Sequence, residues 1–208
     1  MESLSLRYLL AKATVVEAGF AEEICWQASI KTQIFSEPVF LRESAWVILS
    51  SGMRESVIRA KFPMICHAFH DWNSANCIWA DRANCLRDAA CIFRHQGKLA
   101  AILNVVEFVA KYGIETVRSE VATAGVEFLQ SFPYLGPATS LHLAKNLGLD
   151  IAKPDRHLLR FAEALGFSDV QNLCKVIADE VGDSIAVVDL VLWRFATLRP
   201  DYELKKVA

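Results

Sequence analysis

The sequence predicts an all-α protein, because apolar residues recur at helical spacing along nearly all of its 208 residues and no strand alternation of useful length occurs. With 53% hydrophobic residues, the chain can bury one substantial core or two small helical ones. Helical spacing between suitable stop signals predicts helices at 15–34, 38–51, 55–70, 82–95, 99–112, 116–131, 136–148, 155–166, 169–181 and 183–197.

Helix ends in the C-terminal half carry clear capping signals. Pro137 suits the first position of a helix, where the missing N–H has no intrahelical partner to lose, and Gly148 suits the C-terminal end of the same helix. Ser168, followed by Asp169, is the predicted N-cap of the penultimate helix, and Asp183 is the predicted N-cap of the last one.

The stretch from Gly125 to Gly166 carries the most information about function. It predicts two short helices joined by the tight turn 133–137, PYLGP, followed by a third helix that begins at Asp155. The second helix starts at the turn, so its unpaired backbone N–H groups face outward there. The N-terminus of a helix carries partial positive charge, which favours an anion, and a nucleic-acid phosphate is a natural occupant.

This stretch resembles the helix-hairpin-helix and Gly/Pro-Asp core of the DNA glycosylase superfamily that includes endonuclease III, MutY, AlkA and the eukaryotic 8-oxoguanine glycosylase. Segment 132–140, FPYLGPATS, is similar to the family hairpin L-P-G-[IV]-G-x-[KRW]-[TV]-A. Segment 153–160, KPDRHLLR, is similar to the family segment V-D-x-H-[VIL]-x-R, and the two stand at the family separation. The pair is more specific than a hairpin alone, which occurs in many proteins that only bind DNA.

The resemblance implies a two-lobed helical fold and a repair activity. A discontinuous lobe of residues 1–35 plus 135–208 would carry the catalytic aspartate, and residues 36–134 would form the middle lobe. The hairpin, 126–148, would lie at the junction, with the active-site cleft between the lobes. The implied reaction is hydrolysis of the N-glycosidic bond of a damaged or modified base in double-stranded DNA.

Several positions depart from the family pattern. Ala138 stands where lyase-competent relatives hold a Schiff-base lysine, so a monofunctional glycosylase is expected. Tyr134 replaces the first hairpin glycine, and Gly52 stands where many members place a glutamine that fills the hole left by a flipped base. The four-cysteine iron–sulfur loop is missing, because only Cys174 follows Cys91. No cofactor is therefore expected, apart from a monovalent cation that the resemblance implies at the hairpin.

Asp155 is the expected catalytic residue. Cleavage of an N-glycosidic bond develops positive charge on the sugar, which a carboxylate can stabilise while it orients a water molecule. On local pattern alone, Asp155 before a leucine-rich helix is typical of an N-cap. Its position relative to the hairpin favours the catalytic role, and the two roles are compatible.

The residues expected to contact DNA or the base surround these segments. His157 is expected either to order the helix start, to meet a phosphate, or to be a buried structural histidine. Lys145 is a further candidate cation for a basic face, and Trp46 and Met53 are candidates for an apolar base pocket, although each also suits a core position. The expected DNA contacts are Tyr134, Leu135, Gly136, Pro137, Ala138, Thr139, Lys153, Arg156, His157 and Arg160.

The cysteines predict a reduced, intracellular protein without a metal site. Six cysteines form no C-x-x-C pair, and most lie within helical patterns, as expected of reduced core thiols. Metal-ligand residue types do cluster between positions 66 and 85, at Cys66, His67, His70, Cys77 and Cys85, but their spacing matches no zinc template.

Composition limits the function classes. A net charge of −2 does not fit a protein that coats DNA, although it permits one basic face. No apolar run of eighteen residues occurs, and Lys12 interrupts the N-terminal apolar stretch, so neither a membrane span nor a secretion signal is expected. The expected protein is an intracellular monomer, cytoplasmic or nucleoid-associated. A catalytically silent helix-hairpin-helix DNA-binding protein and a helical scaffold or partner-binding protein remain alternatives.

Overall fold

A computed structural model describes residues 3–30 and 35–199, and all regular structure within these ranges is helical, which confirms the all-α class. None of the helices in these ranges has the length and hydropathy needed to cross a bilayer. The helices are α1 (Leu4–Val15), α2 (Ala21–Ser29), α3 (Glu37–Ser50), α4 (Glu55–Ala68), α5 (Ala75–Ala80), α6 (Arg82–Ile92), α7 (Gln96–Tyr112), α8 (Ile114–Ala124), α9 (Val126–Gln130), α10 (Pro137–Asn146), α11 (Arg156–Leu165), α12 (Val170–Val181) and α13 (Ile185–Leu198).

The chain divides after Ile30 and again after Leu147 into two compact units. The sequence-based boundaries were placed after residues 35 and 134, so the second differs by more than a helix. The reason is the packing of α10, which lies against α9 and α3 and buries Leu143 and Ala144 completely. The hairpin therefore belongs to the 31–147 unit, whereas Asp155 belongs to the unit formed by the two ends of the chain.

The core of the terminal unit is built from α1, α11, α12 and α13, with Leu158, Leu173 and Val188 fully buried. Tyr8 joins α1 to the start of α13, because its hydroxyl donates to Asp183 Oδ2 at 2.6 Å. Burial, followed by the neighbouring Asp183 carboxylate, raises the pKa of Tyr8, which keeps the phenol neutral and able to donate.

The core of the 31–147 unit centres on α3 and α7, where Ile48, Leu49 and Val106 are fully buried. A buried carboxylate, Glu43 on α3, accepts a hydrogen bond of 2.9 Å from the Asn146 amide on α10. Burial raises the pKa of Glu43 above its ordinary value, although the Asn146 bond and the adjacent Arg42 oppose this rise.

Some helix bounds differ from the sequence-based ones. α1 begins at Leu4, eleven residues before the first predicted helix, and Ser3 caps it by accepting from the Leu6 N–H. The predicted helix 15–34 is interrupted at Gly19, where φ is 91°, and the predicted helix 116–131 is divided at Gly125, where φ is 54°. The short α5 was not predicted, because six residues are too few to show a helical period.

Two predicted caps are wrong by one residue. Asp169, not Ser168, caps α12 by accepting from the Asn172 N–H at 2.7 Å. Ser184, not Asp183, caps α13, since Asp183 is occupied by the Tyr8 hydroxyl and the Lys12 ammonium. The expectation of core thiols holds only in part: all six cysteines are free, but Cys25, Cys77 and Cys91 are exposed, and only Cys85 and Cys174 are buried.

Candidate functional site

The hairpin consists of α9, a turn at 131–136 and α10, as the sequence predicts. Gly136 is the N-cap residue in an extended conformation, and Pro137 occupies the first turn of α10. Hydroxyl groups close the turn: Thr139 Oγ1 donates to Tyr134 O at 3.0 Å, and Ser140 Oγ donates to Gly136 O at 2.9 Å. These local bonds hold the turn without a glycine at position 134.

The start of α10 presents unpaired donors. Pro137 has no N–H, and none of the hydrogen bonds found among the described residues uses the N–H of Gly136, Ala138 or Thr139. A Cβ added to Gly136 would meet no atom within 4 Å, so the space in front of the turn is open. Three N–H groups at an open helix N-terminus can bind a phosphate oxygen.

Tyr134 adopts a positive φ of 66°, an uncommon conformation for a residue with a side chain. Its ring lies edge-on to His95, with centroids 5.8 Å apart, and its hydroxyl packs against Gly97, where a Cβ would lie only 2.6 Å away. The start of α7 thus packs against the Tyr134 side chain. Gly97 has no side chain, which leaves space for the Tyr134 hydroxyl group. Tyr134 as a residue remains 40% exposed, so it stays accessible to a ligand at the hairpin.

Lys98 links the same region to the end of α3. Its buried ammonium donates to Leu49 O at 2.7 Å and also to Ser51 O, which satisfies carbonyls that the end of a helix leaves unpaired. Its nitrogen also lies 5.8 Å from the centre of the Tyr134 ring. Burial lowers the pKa of Lys98. The residue was not singled out from the sequence, where it reads as an ordinary helix lysine.

The remaining hairpin and pocket candidates fall into different environments. Leu135 is 1% exposed and its N–H donates to Phe132 O, so its side chain packs inside the unit and is not available for the expected DNA contact. Trp46 is half-buried with its ring edge-on to Phe62 at 5.0 Å. Met53 is exposed and lines an open depression of about 480 Å³, whose lining does not include Trp46. The depression that Met53 lines is therefore not a pocket shared with Trp46.

Asp155 is the N-cap of α11. One carboxylate oxygen, Oδ1, accepts from the N–H groups of His157 and Leu158 at 2.8 and 3.0 Å. No hydrogen bond from another described residue reaches Oδ2, and the side chain is only partly buried. The predicted cap is confirmed, and it uses one oxygen while leaving the other available for chemistry.

The loop that precedes Asp155 is fixed by side chains from two helices of the same unit. The N–H of Lys153 donates to Asp189 Oδ1 on α13 at 2.7 Å, and the N–H of Ala152 donates to Gln171 Oε1 on α12, also at 2.7 Å. Asp189 is 2% exposed. Sequence reasoning missed this residue, although an acid inside the apolar run 187–193, VVDLVLW, is a signal that could have identified it.

The candidate cations divide between surface and core. Arg156 and Arg160 are exposed one turn apart on α11, and Lys153 is partly exposed. His157 is also partly exposed and its Nε2 lies 3.4 Å from Arg156 Nε. Lys145, by contrast, is 5% exposed, so its expected place on a solvated basic face is wrong.

The chain matches no family model, and no curated protein matches it. Among solved structures, its fold is similar to that of an 8-oxoguanine glycosylase/lyase from Methanocaldococcus jannaschii, determined in complex with a 15mer DNA containing 8-oxoguanine. The two chains are 17% identical, with 93% of this chain and 97% of the other covered at a TM-score of 0.60. This likeness shows that the chain shares the helical fold of that protein.

Proposed function

We propose that this protein is a DNA N-glycosylase that removes a damaged or modified base from double-stranded DNA. The observation that carries the proposal is the environment of Asp155. Its carboxylate caps α11 through Oδ1 and leaves Oδ2 without a partner among the described residues, at the end of a loop held by Asp189 and Gln171. The fold, which is similar to that of a known glycosylase/lyase, supports it.

In the proposed reaction the C1′–N bond breaks and its electron pair leaves with the base. The sugar becomes cationic, and the Asp155 carboxylate stabilises that charge. A water oxygen then bonds to C1′, Asp155 accepts the proton that the water loses, and the departing base takes up a proton from solvent. The two α11 N–H groups on Oδ1 keep the carboxylate oriented.

The hairpin is proposed to hold the DNA backbone. The free N–H groups of Gly136, Ala138 and Thr139 suit a phosphate, and Arg156 and Arg160 add exposed positive charge in the terminal unit. Phosphate contacts position the duplex without reading its sequence, so they do not identify the base that is removed.

A monovalent cation at the hairpin fits the turn in part. Gly136 O is saturated, because it accepts from Ser140 N–H and from the Ser140 and Thr139 hydroxyls. Tyr134 O accepts one bond and Leu135 O accepts none of those found among the described residues, so both keep acceptor capacity. These two carbonyls are the ones that would hold such a cation, which would add positive charge next to a bound phosphate.

The enzyme is proposed to lack lyase activity. Ala138 offers no amine, the Lys145 side chain is buried, and the Lys98 ammonium is bonded to α3 carbonyls. Lys153 is the remaining rival near Asp155, but its backbone is tied to Asp189 and its side chain is partly exposed. Attack by water therefore explains the site better than attack by an amine.

We also propose that the protein acts as an intracellular monomer.

The test is release of free bases from duplex DNA carrying alkylated, oxidised or deaminated bases, read by mass spectrometry. At least one class of lesion should yield free base and an abasic site. A gel shift on duplex DNA with an abasic analogue, repeated at several salt concentrations, separates the alternatives. Salt-dependent binding without base release would identify a silent DNA-binding protein, which the missing side chain at Gly52 favours. No binding at all would identify a scaffold.

A further inference from the structure

Three side chains with metal-ligating atoms meet beside the start of α6. The Nε2 atom of His70, a carboxylate oxygen of Asp81 and the Sγ atom of Cys85 all lie within 4.8 Å of one another. His70 Nε2 and Asp81 Oδ2 are 2.9 Å apart, and their side chains are 47% and 38% exposed. Cys85 is buried at 1% exposure, so its thiol forms the floor of a small, open cluster.

The Asp81 side chain points toward this cluster and does not cap α6. It is the N-cap residue of α6, yet its side chain accepts no backbone N–H of the helix. Instead, Oδ2 bonds to His70, and Oδ1 accepts from the Asn84 amide at 2.6 Å. Cys85 follows four residues later, and residues four apart on a helix lie on one face. The helix thus places the Asp81 and Cys85 side chains on the same face.

His70 is directed by the turn that follows α4. Residues His70, Asp71 and Trp72 all have positive φ, at 53°, 50° and 62°. Trp72 holds this turn in place, because it is 1% exposed and stacks on Phe69 with centroids 4.9 Å apart. The turn therefore presents the His70 ring to α6 from a fixed position.

We propose that His70, Asp81 and Cys85 bind a Zn²⁺ ion, with water as the fourth ligand. One nitrogen, one oxygen and one sulfur donor suit zinc, whereas Mg²⁺ and Ca²⁺ prefer oxygen donors alone. Tetrahedral zinc with ordinary bond lengths separates such donors by about 3.4–3.6 Å. The observed separations, from 2.9 Å to at most 4.8 Å, reach these values by rotation of side chains that are already in place.

The charges at the cluster are suited to a divalent cation. Binding releases the thiol proton of Cys85 to solvent, which leaves two anionic ligands, the Cys85 thiolate and the Asp81 carboxylate, against the charge of Zn²⁺. They also offset the partial positive charge of the α6 N-terminus, which would otherwise disfavour a cation. The nearby cation Arg82 is directed elsewhere, since it donates to Trp79 O and lies over the Trp79 ring.

The bound ion would cross-link the 70–72 turn to α6 and so stabilise the 31–147 unit. The site uses neither Asp155 nor any hairpin residue, so it stands independently of the proposed glycosylase activity. The sequence did not predict it, because Asp81, between Cys77 and Cys85, stands where an ordinary N-cap residue is expected, and only the left-handed turn brings His70 to it.

The test is zinc binding to the full chain after removal of metals with a chelator. Titration with Zn²⁺ against a chromophoric chelator should show one ion per chain, and the bound protein should melt at a higher temperature. Co²⁺ should give a thiolate charge-transfer band. His70→Gln, Asp81→Asn and Cys85→Ser should each weaken zinc binding more than about 100-fold, since outer partners of a metal ligand alone contribute up to that factor.

Two matched variants control for residue type and position. Cys77→Ser changes an exposed cysteine on the adjacent α5. His67→Gln changes the other histidine that pairs with an aspartate, because its Nδ1 lies 3.9 Å from the Asp71 carboxylate. Both should bind zinc as the wild type does. His70→Gln alters a half-exposed side chain, so far-UV circular dichroism should show it folded while the zinc-dependent rise in melting temperature is lost. Absence of binding by the wild type, or a cobalt band that survives Cys85→Ser, would overturn the proposal.

Discussion

Replacement of Asp189 by alanine tests how the loop before Asp155 is held. The Asp189 carboxylate is 2% exposed and accepts the Lys153 N–H at 2.7 Å. A hydrogen bond to a charged group contributes about 1.5–3 kcal/mol, and its loss leaves the Lys153 N–H without an acceptor unless water enters. We therefore expect Asp189→Ala to lower the free energy of unfolding by about 1.5–3 kcal/mol.

The same change should slow base excision more than it weakens DNA binding. Asp155 follows Lys153 by two residues, and its own N–H donates to Lys153 O at 2.8 Å, so release of Lys153 shifts the carboxylate. A misplacement of about 1 Å at a reacting group costs roughly 100-fold in rate. We expect single-turnover excision to fall by about 10- to 100-fold. The dissociation constant for lesion DNA should change less than the rate, because the Gly136, Ala138 and Thr139 N–H groups that are proposed to hold a phosphate lie outside this loop.

Urea unfolding and single-turnover excision at saturating protein measure the two effects. Asp179→Ala is the matched control, since Asp179 is an exposed acid on α12 that pairs only with Lys175 among the described salt bridges. It should change stability by less than about 0.5 kcal/mol and leave excision unaltered. If Asp189→Ala equals this control in both stability and rate, then Asp189 does not hold the loop.

Three further predictions concern the hairpin, the nucleophile and a buried acid. Gly136→Glu places a negative charge in the open space before the α10 N–H donors and should weaken binding to all duplexes about equally. A gel shift that shows loss of binding for only one lesion would place Gly136 in the base pocket. Borohydride trapping should give no covalent protein–DNA adduct, whereas an adduct abolished by Lys153→Gln would establish an amine mechanism. Burial raises the pKa of Glu43 above 4.5 in the folded protein. The contribution of this shift to the free energy of unfolding is therefore complete below pH 4.5 and is lost as pH rises through the folded-state pKa. The stability of wild type relative to Glu43→Gln should therefore decline in urea unfolding as pH rises above 4.5, and an increase would contradict the raised pKa.

Local patterns predicted those features that depend on neighbouring residues. The turn before α10, the first-turn position of Pro137 and the capping of α11 by Asp155 follow from residue preferences within one or two turns of helix. The resemblance to glycosylases, read from two short segments, agrees with the fold of the whole chain although identity to the solved glycosylase/lyase is only 17%.

Features that depend on distant residues escaped prediction. Asp183 suits a cap by residue type, but Ser184 is the N-cap, and Tyr8 and Lys12, more than 170 residues away in the sequence, bind the Asp183 oxygens. Lys145 has the spacing of a surface cation, yet the packing of α10 buries it. Asp189 matters because the loop before Asp155 passes it, which no periodicity reveals. A sequence pattern assigns a side chain to a helix face, and the tertiary fold decides what that face meets.

The most direct test of whether Asp155 is the catalytic residue compares Asp155→Asn with Asp169→Asn in single-turnover release of free base. Both aspartates cap a helix through Oδ1, and asparagine retains a capping oxygen at either position, so each variant keeps its cap and loses one negative charge. Asp155→Asn should lose at least about 100-fold in rate, as is usual when a group that stabilises transition-state charge is removed, while it still binds lesion DNA. Asp169→Asn should release base at the wild-type rate. Near-wild-type release by Asp155→Asn would contradict the assignment of Asp155 as the catalytic residue.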